Sequence, residues 1–208
     1  MRKTFALGLA SLLWLGCAGH PPAVLYGKSE QFKPGDFPRV LETWTRSDRL
    51  YAGIENKLFL SATYHSPALR RAFAVAFPDI YGHGGEVTKR ELVELTGDVE
   101  QFHTFFVTMY TPNTKWNDLA QDDSIWRVTL AGSDEVVVKP KEIVPVKIDA
   151  NLQRVYSHIG RFDKAYLVRF ALTDPLQAIV IGPKTRSFTL RAASALGAAE
   201  LVWQLQPL

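Results

Sequence analysis

Alternation of apolar and polar positions is the dominant signal from Lys57 onward. Leu58, Leu60, Ala62 and Tyr64 alternate with Lys57, Phe59, Ser61 and Thr63, a period of two that predicts a strand with one wet face, interrupted there by Phe59. Phe102 to Tyr110 is apolar on both faces, as in a central strand. Trp126, Val128 and Leu130 alternate with Arg127 and Thr129; Gly132-Ser133 is turn chemistry, and Val136 to Val138 returns. Further runs are Val144, Val146 and Ile148; Tyr166, Val168, Phe170 and Leu172; Ile179 to Ile181; Phe188 with Leu190; and Leu201, Trp203 and Leu205. The last of these builds the C-terminal segment into a sheet. Val40 to Arg46, carrying Leu41, Thr43 and Trp44, reads as another extended piece, with Tyr51 to Asn56 as a connection.

One stretch changes period. Ser66-Pro67 is a helix start, because the hydroxyl accepts a free backbone N–H and Pro loses nothing in the first turn. Leu69, Phe73, Ala76 and Phe77 then share a face, and Pro78 is expected to end the helix. After the Gly82-His83-Gly84-Gly85 loop, Thr88 and Glu91 form a capping box for a short helix that stops at Gly97. Short strands with Gly/Pro turns around one helical insertion predict a mainly β fold: an antiparallel, immunoglobulin-like β-sandwich over residues 37–208, with a helical insertion at 66–97. The runs are too short for a transmembrane barrel.

The N-terminus has its own logic. Arg2 and Lys3 precede an apolar run from Thr4 to Leu15, closed by Gly16-Cys17, the layout of an export signal over residues 1–16. The run is shorter than the roughly 20 residues that span a bilayer. Leu13-Trp14-Leu15-Gly16-Cys17 resembles the lipobox of bacterial lipoproteins. That resemblance implies a diacylglycerol on the Cys17 thiol, cleavage before Cys17 and, with Ala18 following, the periplasmic face of the outer membrane. It also accounts for a single Cys in 208 residues of an exported chain, which cannot form an internal disulfide. Residues 17–36, with Pro21, Pro22, Pro34, Gly19, Gly27 and Gly35, read as the tether, with Val24-Leu25-Tyr26 packing on the domain as the alternative.

Charge adds little once the signal is set aside. Without Arg2 and Lys3 the 24 basic residues become 22, against 21 acidic, a net of +1. No Lys/Arg run is long enough for a nucleic-acid patch, so nucleic acid is not an expected partner.

Candidate chemistry is sparse. There is no Gly-x-Ser-x-Gly elbow, phosphate loop or dinucleotide glycine pattern, and no cofactor is expected. His83, Glu86 and His103 could form a metal or acid/base cluster, since imidazole with carboxylate suits Zn²⁺, although their spacing fits no helical His pair. Asp118, Asp122 and Asp123 lack the spacing and central Gly of a Ca²⁺ loop and read as a solvated loop. Trp116, in the polar stretch Thr-Pro-Asn-Thr-Lys-Trp-Asn-Asp, is the aromatic suited to a glycan or other ligand.

The expectation is therefore a lipid-anchored, non-enzymatic binding or scaffold protein of the outer membrane. It would touch the membrane through Cys17 and an envelope protein through its domain. The rivals are a metal-dependent hydrolase at His83, Glu86 and His103, and a glycan or peptidoglycan binder at Trp116.

Overall fold

A computed structural model describes residues 20–25, 31–82, 101–132 and 136–206. Among these the chain is mainly β, as the alternation predicts, and forms two antiparallel sheets. The strands are β1 Thr45–Ala52, β2 Glu55–Tyr64, β3 Phe102–Tyr110, β4 Arg127–Ala131, β5 Val137–Val138, β6 Glu142–Val146, β7 Lys164–Ala171, β8 Ser187–Ser194 and β9 Gly197–Gln204. The helices are α1 Phe37–Trp44, α2 Pro67–Tyr81 and α3 Ala150–Val155. One sheet runs β1-β2-β3-β7-β6 and the other β5-β4-β8-β9.

β3 lies at the centre of the larger sheet, and its residues from Thr104 to Val107 are at most 1% exposed. Alternate side chains from both sheets fill the space between. Phe105 meets Phe170 edge-on and Trp203 at 5.5 Å, and Phe188 stacks on Trp203 at 5.0 Å and 11°. Such aromatic pairs contribute about 0.5–1.5 kcal/mol each beyond the area they bury.

Five readings from the sequence are corrected. The connection read at Tyr51 to Asn56 shrinks to Gly53 and Ile54, because β1 runs to Ala52 and pairs there with Glu55 of β2. Residues 40–44 are helical, not extended. Phe37, Val40, Leu41 and Trp44 fall at i, i+3, i+4 and i+7 and are all buried, while Pro38 pre-sets the first turn. The hydroxyls of Thr43, which suggested a strand, and of Thr45, the first residue of β1, bond back to the carbonyls of Arg39 and Leu41. α2 begins where expected, with Ser66 accepting from the Leu69 N–H at 3.1 Å, but it does not stop at Pro78. Tyr81 stacks on Phe77 at 4.4 Å, and this packing of the last turn outweighs the N–H that Pro78 lacks. The helix ends at Gly82, whose φ of 67° is the left-handed stop. Ile179 to Ile181 is not a strand: Val180 and Ile181 are buried in a loop held by a single bridge, Thr173 to Ile179. The run from Val144 to Ile148 stops as a strand at Val146, and Val144 on this edge is 37% exposed. The second helix expected before Gly97 lies outside the described residues.

One feature was not foreseen, and another only as an alternative. α3 is capped by Asp149, which accepts from the Leu152 N–H at 2.8 Å. Ala23 adds to the end of β9 as a short parallel bridge to Leu205, and Ala23 and Leu25 are buried. Part of the stretch read as a tether is thus built into the domain, as the alternative for Val24-Leu25-Tyr26 anticipated.

The register defines two ends. At one, Thr45, Tyr64, Phe102 and Ala171 meet Ala131, Val137, Ser187 and Gln204; residues 20–25, α1 and the 172–186 connection gather there. At the other lie the β1–β2 turn at Gly53, Tyr110 and the β8–β9 turn.

Candidate functional site

At the second end, the outer face of the larger sheet carries a cleft of about 390 Å³. Its floor comes from β1 and β2, where the wet face of the alternation places Ser47, Arg49, Phe59 and Ser61 side by side. Phe59 is the aromatic that interrupts that polar face. Its ring lies 5.9 Å from Tyr110 on β3, and the Arg49 guanidinium sits 4.8 Å over it. The Ser47 and Ser61 hydroxyls bond to each other at 2.8 Å.

The wall is the segment between α3 and β7. Tyr156 anchors it, stacked on Phe106 at 3.9 Å and bonded through its O–H to His65 Nε2 at 2.8 Å. Burial pushes the Tyr156 phenol far up, so this O–H stays protonated. A turn follows in which Asp163 accepts from the Gly160 N–H at 2.8 Å. The turn thrusts Arg161 and Phe162 outward; Phe162 is 69% exposed, 6.1 Å from Tyr110, with the Arg161 guanidinium 5.7 Å from its ring. His158 lines the cleft behind them. Burial lowers its pKa, partly offset by Asp163, and its Nε2 lacks a hydrogen-bond partner.

Two guanidiniums over two rings, beside the Ser47 and Ser61 hydroxyls, suit a ligand with a flat apolar face and an anionic group. Arginine over an aromatic ring contributes about 0.5–1 kcal/mol when exposed and more when a ligand dries the site.

The residues singled out from the sequence are dispersed. Cys17, His83 and Glu86 lie outside the described residues. His103 faces the interior of the sandwich, its Nδ1 3.1 Å from the Tyr64 hydroxyl and its Nε2 without a hydrogen-bond partner. Burial lowers its pKa to about 4, so it is neutral at pH 7. Among the described residues no three His, Cys, Asp or Glu side chains converge as metal ligands. Trp116, in the 3-10 turn Thr114–Trp116, is half-buried, and its carbonyl accepts from the Trp126 indole N–H at 2.8 Å. Asp118 accepts from the Ser124 hydroxyl at 2.9 Å, which fits the loop reading.

Sequence reasoning passed over Arg49, Tyr110, Arg161 and Phe162. The usable signals were Phe59 on a wet face and Phe162 between two charged residues; nothing in the spacing brings them together, because the sheet register does. The chain matches no family model, no curated protein and no solved structure.

Proposed function

We propose that this protein is a lipid-anchored, non-enzymatic binding protein of the bacterial envelope. It is held through Cys17 on the periplasmic face of the outer membrane and takes an acidic glycan into the Arg49–Phe59–Phe162 cleft. The observation that carries the ligand is the pairing of an exposed ring, Phe162, and a half-buried one, Phe59, with guanidiniums in one cleft: sugar rings stack on aromatic faces, and sugar carboxylates meet arginine. The anchor rests on the lipobox resemblance and on the lone cysteine.

The test is calorimetric titration of the chain from residue 18 with solubilised peptidoglycan fragments, which carry both sugar rings and carboxylates. Phe162→Ala and Arg49→Ala are each expected to weaken binding about tenfold, equivalent to about 1.4 kcal/mol. Trp116→Ala is expected to leave it unchanged. Loss in Trp116→Ala alone moves the site to that loop, and absence of binding to the wild-type chain removes the glycan reading.

A further inference from the structure

The end of the sandwich opposite the cleft carries exposed apolar side chains of its own. Leu176 is 88% exposed, Ile179 59%, and Val137 at the start of β5 58%. They belong to one surface. Val137 and Pro175 line a common hollow, and the approach of the Val180 carbonyl to Gly132, where a Cβ would lie 2.0 Å away, seats the 172–181 loop against the end of β4.

The loop is built to present Leu176. Asp174 accepts from the backbone N–H groups of Leu176 and Ala178, both at 2.8 Å, and its own N–H returns to the Ala178 carbonyl at 2.9 Å. Gln177 supplies the turn with a positive φ of 66°. Lys139 and Lys141 are exposed and line the same hollow as Val137 and Pro175. Acidic residues flank the same segments, with Asp134 and Glu135 before Val136 and Glu142 after Lys141, while the Asp174 carboxylate is used by the loop itself. Large exposed apolar side chains beside Lys139 and Lys141 match a bilayer surface, with apolar tips below the headgroups and the two ammonium groups at the phosphates.

Chain connectivity selects the same occupant. Ala23 is bonded to the end of β9, at this end of the molecule. Cys17 precedes it by six residues, which span at most about 20 Å when fully extended. We infer that the Val137–Leu176–Ile179 face docks on the bilayer to which Cys17 is anchored, which directs the Phe59–Phe162 cleft away from the membrane. This inference rests on the lipid-anchor reading above.

The experiment places a nitroxide at Leu176→Cys or, as the distal control, at Ile54→Cys. Ile54 is fully exposed at the β1–β2 turn. The full chain, expressed in bacteria, is reconstituted in vesicles of phosphatidylethanolamine and phosphatidylglycerol, and mass spectrometry of the same sample shows whether Cys17 carries lipid. With lipid present, the label at 176 is expected to be relaxed by oxygen and shielded from an aqueous nickel chelate, and the label at 54 the reverse. Equal access of nickel to both overturns the docking face while leaving the anchor intact.

Without lipid, the anchor reading fails separately, and the face is then judged by sedimentation of the protein with the same vesicles. Binding that falls at least tenfold in Leu176→Asp/Ile179→Asp supports the face. Absence of binding, or binding unaffected by the two substitutions, overturns it.

Discussion

His103 illustrates how one buried side chain imprints itself on the whole molecule's response to acid. Its pKa is lowered to about 4 by burial, while in the unfolded chain it titrates near 6.5. Between these values the unfolded state binds a proton that the folded state does not. Stability is therefore level above pH 6.5 and falls as pH drops from 6.5 towards 4. Two pH units in that window correspond to about 2 kcal/mol. His103→Gln keeps a hydrogen-bonding group beside Tyr64 and removes the titration, so its urea-unfolding free energy should change less between pH 7 and pH 4.5 than that of the wild type. Parallel losses in the two proteins would show that His103 is not the group responsible. A lone histidine at a strand start looks the same in sequence whether it faces water or the core, and only the pairing of β2 with β3 decides.

The outer edge of β9 shows what the elements do for one another. The Glu200 N–H donates to Asp48 and the Val202 carbonyl accepts from Arg46 Nε. Further along the same edge, the Gln204 carbonyl and Gln206 N–H are taken by Ala23. Unpaired edges invite association with other chains, and here β1 side chains and residue 23 occupy this one. Arg46 is only 7% exposed and donates to the carbonyls of Thr43, Thr45 and Val202. Arg46→Met strands those acceptors and is expected to cost about 3 kcal/mol in urea unfolding and to promote self-association seen by light scattering. Arg191→Met removes an exposed pair with Glu200 and should cost less than about 1 kcal/mol. An equal effect from both would refute this division.

Most strands were legible because period-two alternation survives wherever one face is dry, as at Leu58 to Tyr64 and Trp126 to Leu130. β1 was not, because Thr45–Ala52 has the burial of an edge strand with only Arg46 fully inside, and a buried arginine carries no apolar signal. α1 was missed because eight residues with Val40, Thr43 and Trp44 satisfy either period until the stripe from Phe37 to Trp44 is counted. The cleft was illegible for a different reason: its rings come from β2, β3 and the turn before β7, and sequence spacing does not encode strand register.

At the scale of the molecule, residues 20–25 belong to the folded body. Starting the chain at residue 31 instead of 18 removes the Ala23 bridge and the buried Leu25 side chain. Burying a leucine is worth about 1.5–3 kcal/mol, so the shorter chain should melt roughly 4–8 °C lower by calorimetry. Unchanged melting would mean that the bridge adds nothing. The contact between Trp203 and Trp44 joins residues 159 apart, through the indole N–H of one and the carbonyl of the other at 3.0 Å. Contacts of such separation form late, because a long loop must close before they repay its entropy. Until β9 emerges, the aromatic centre lacks Trp203 as its stacking partner. Under the export reading proposed above, that delay keeps the sandwich from closing before its last strand has crossed the membrane.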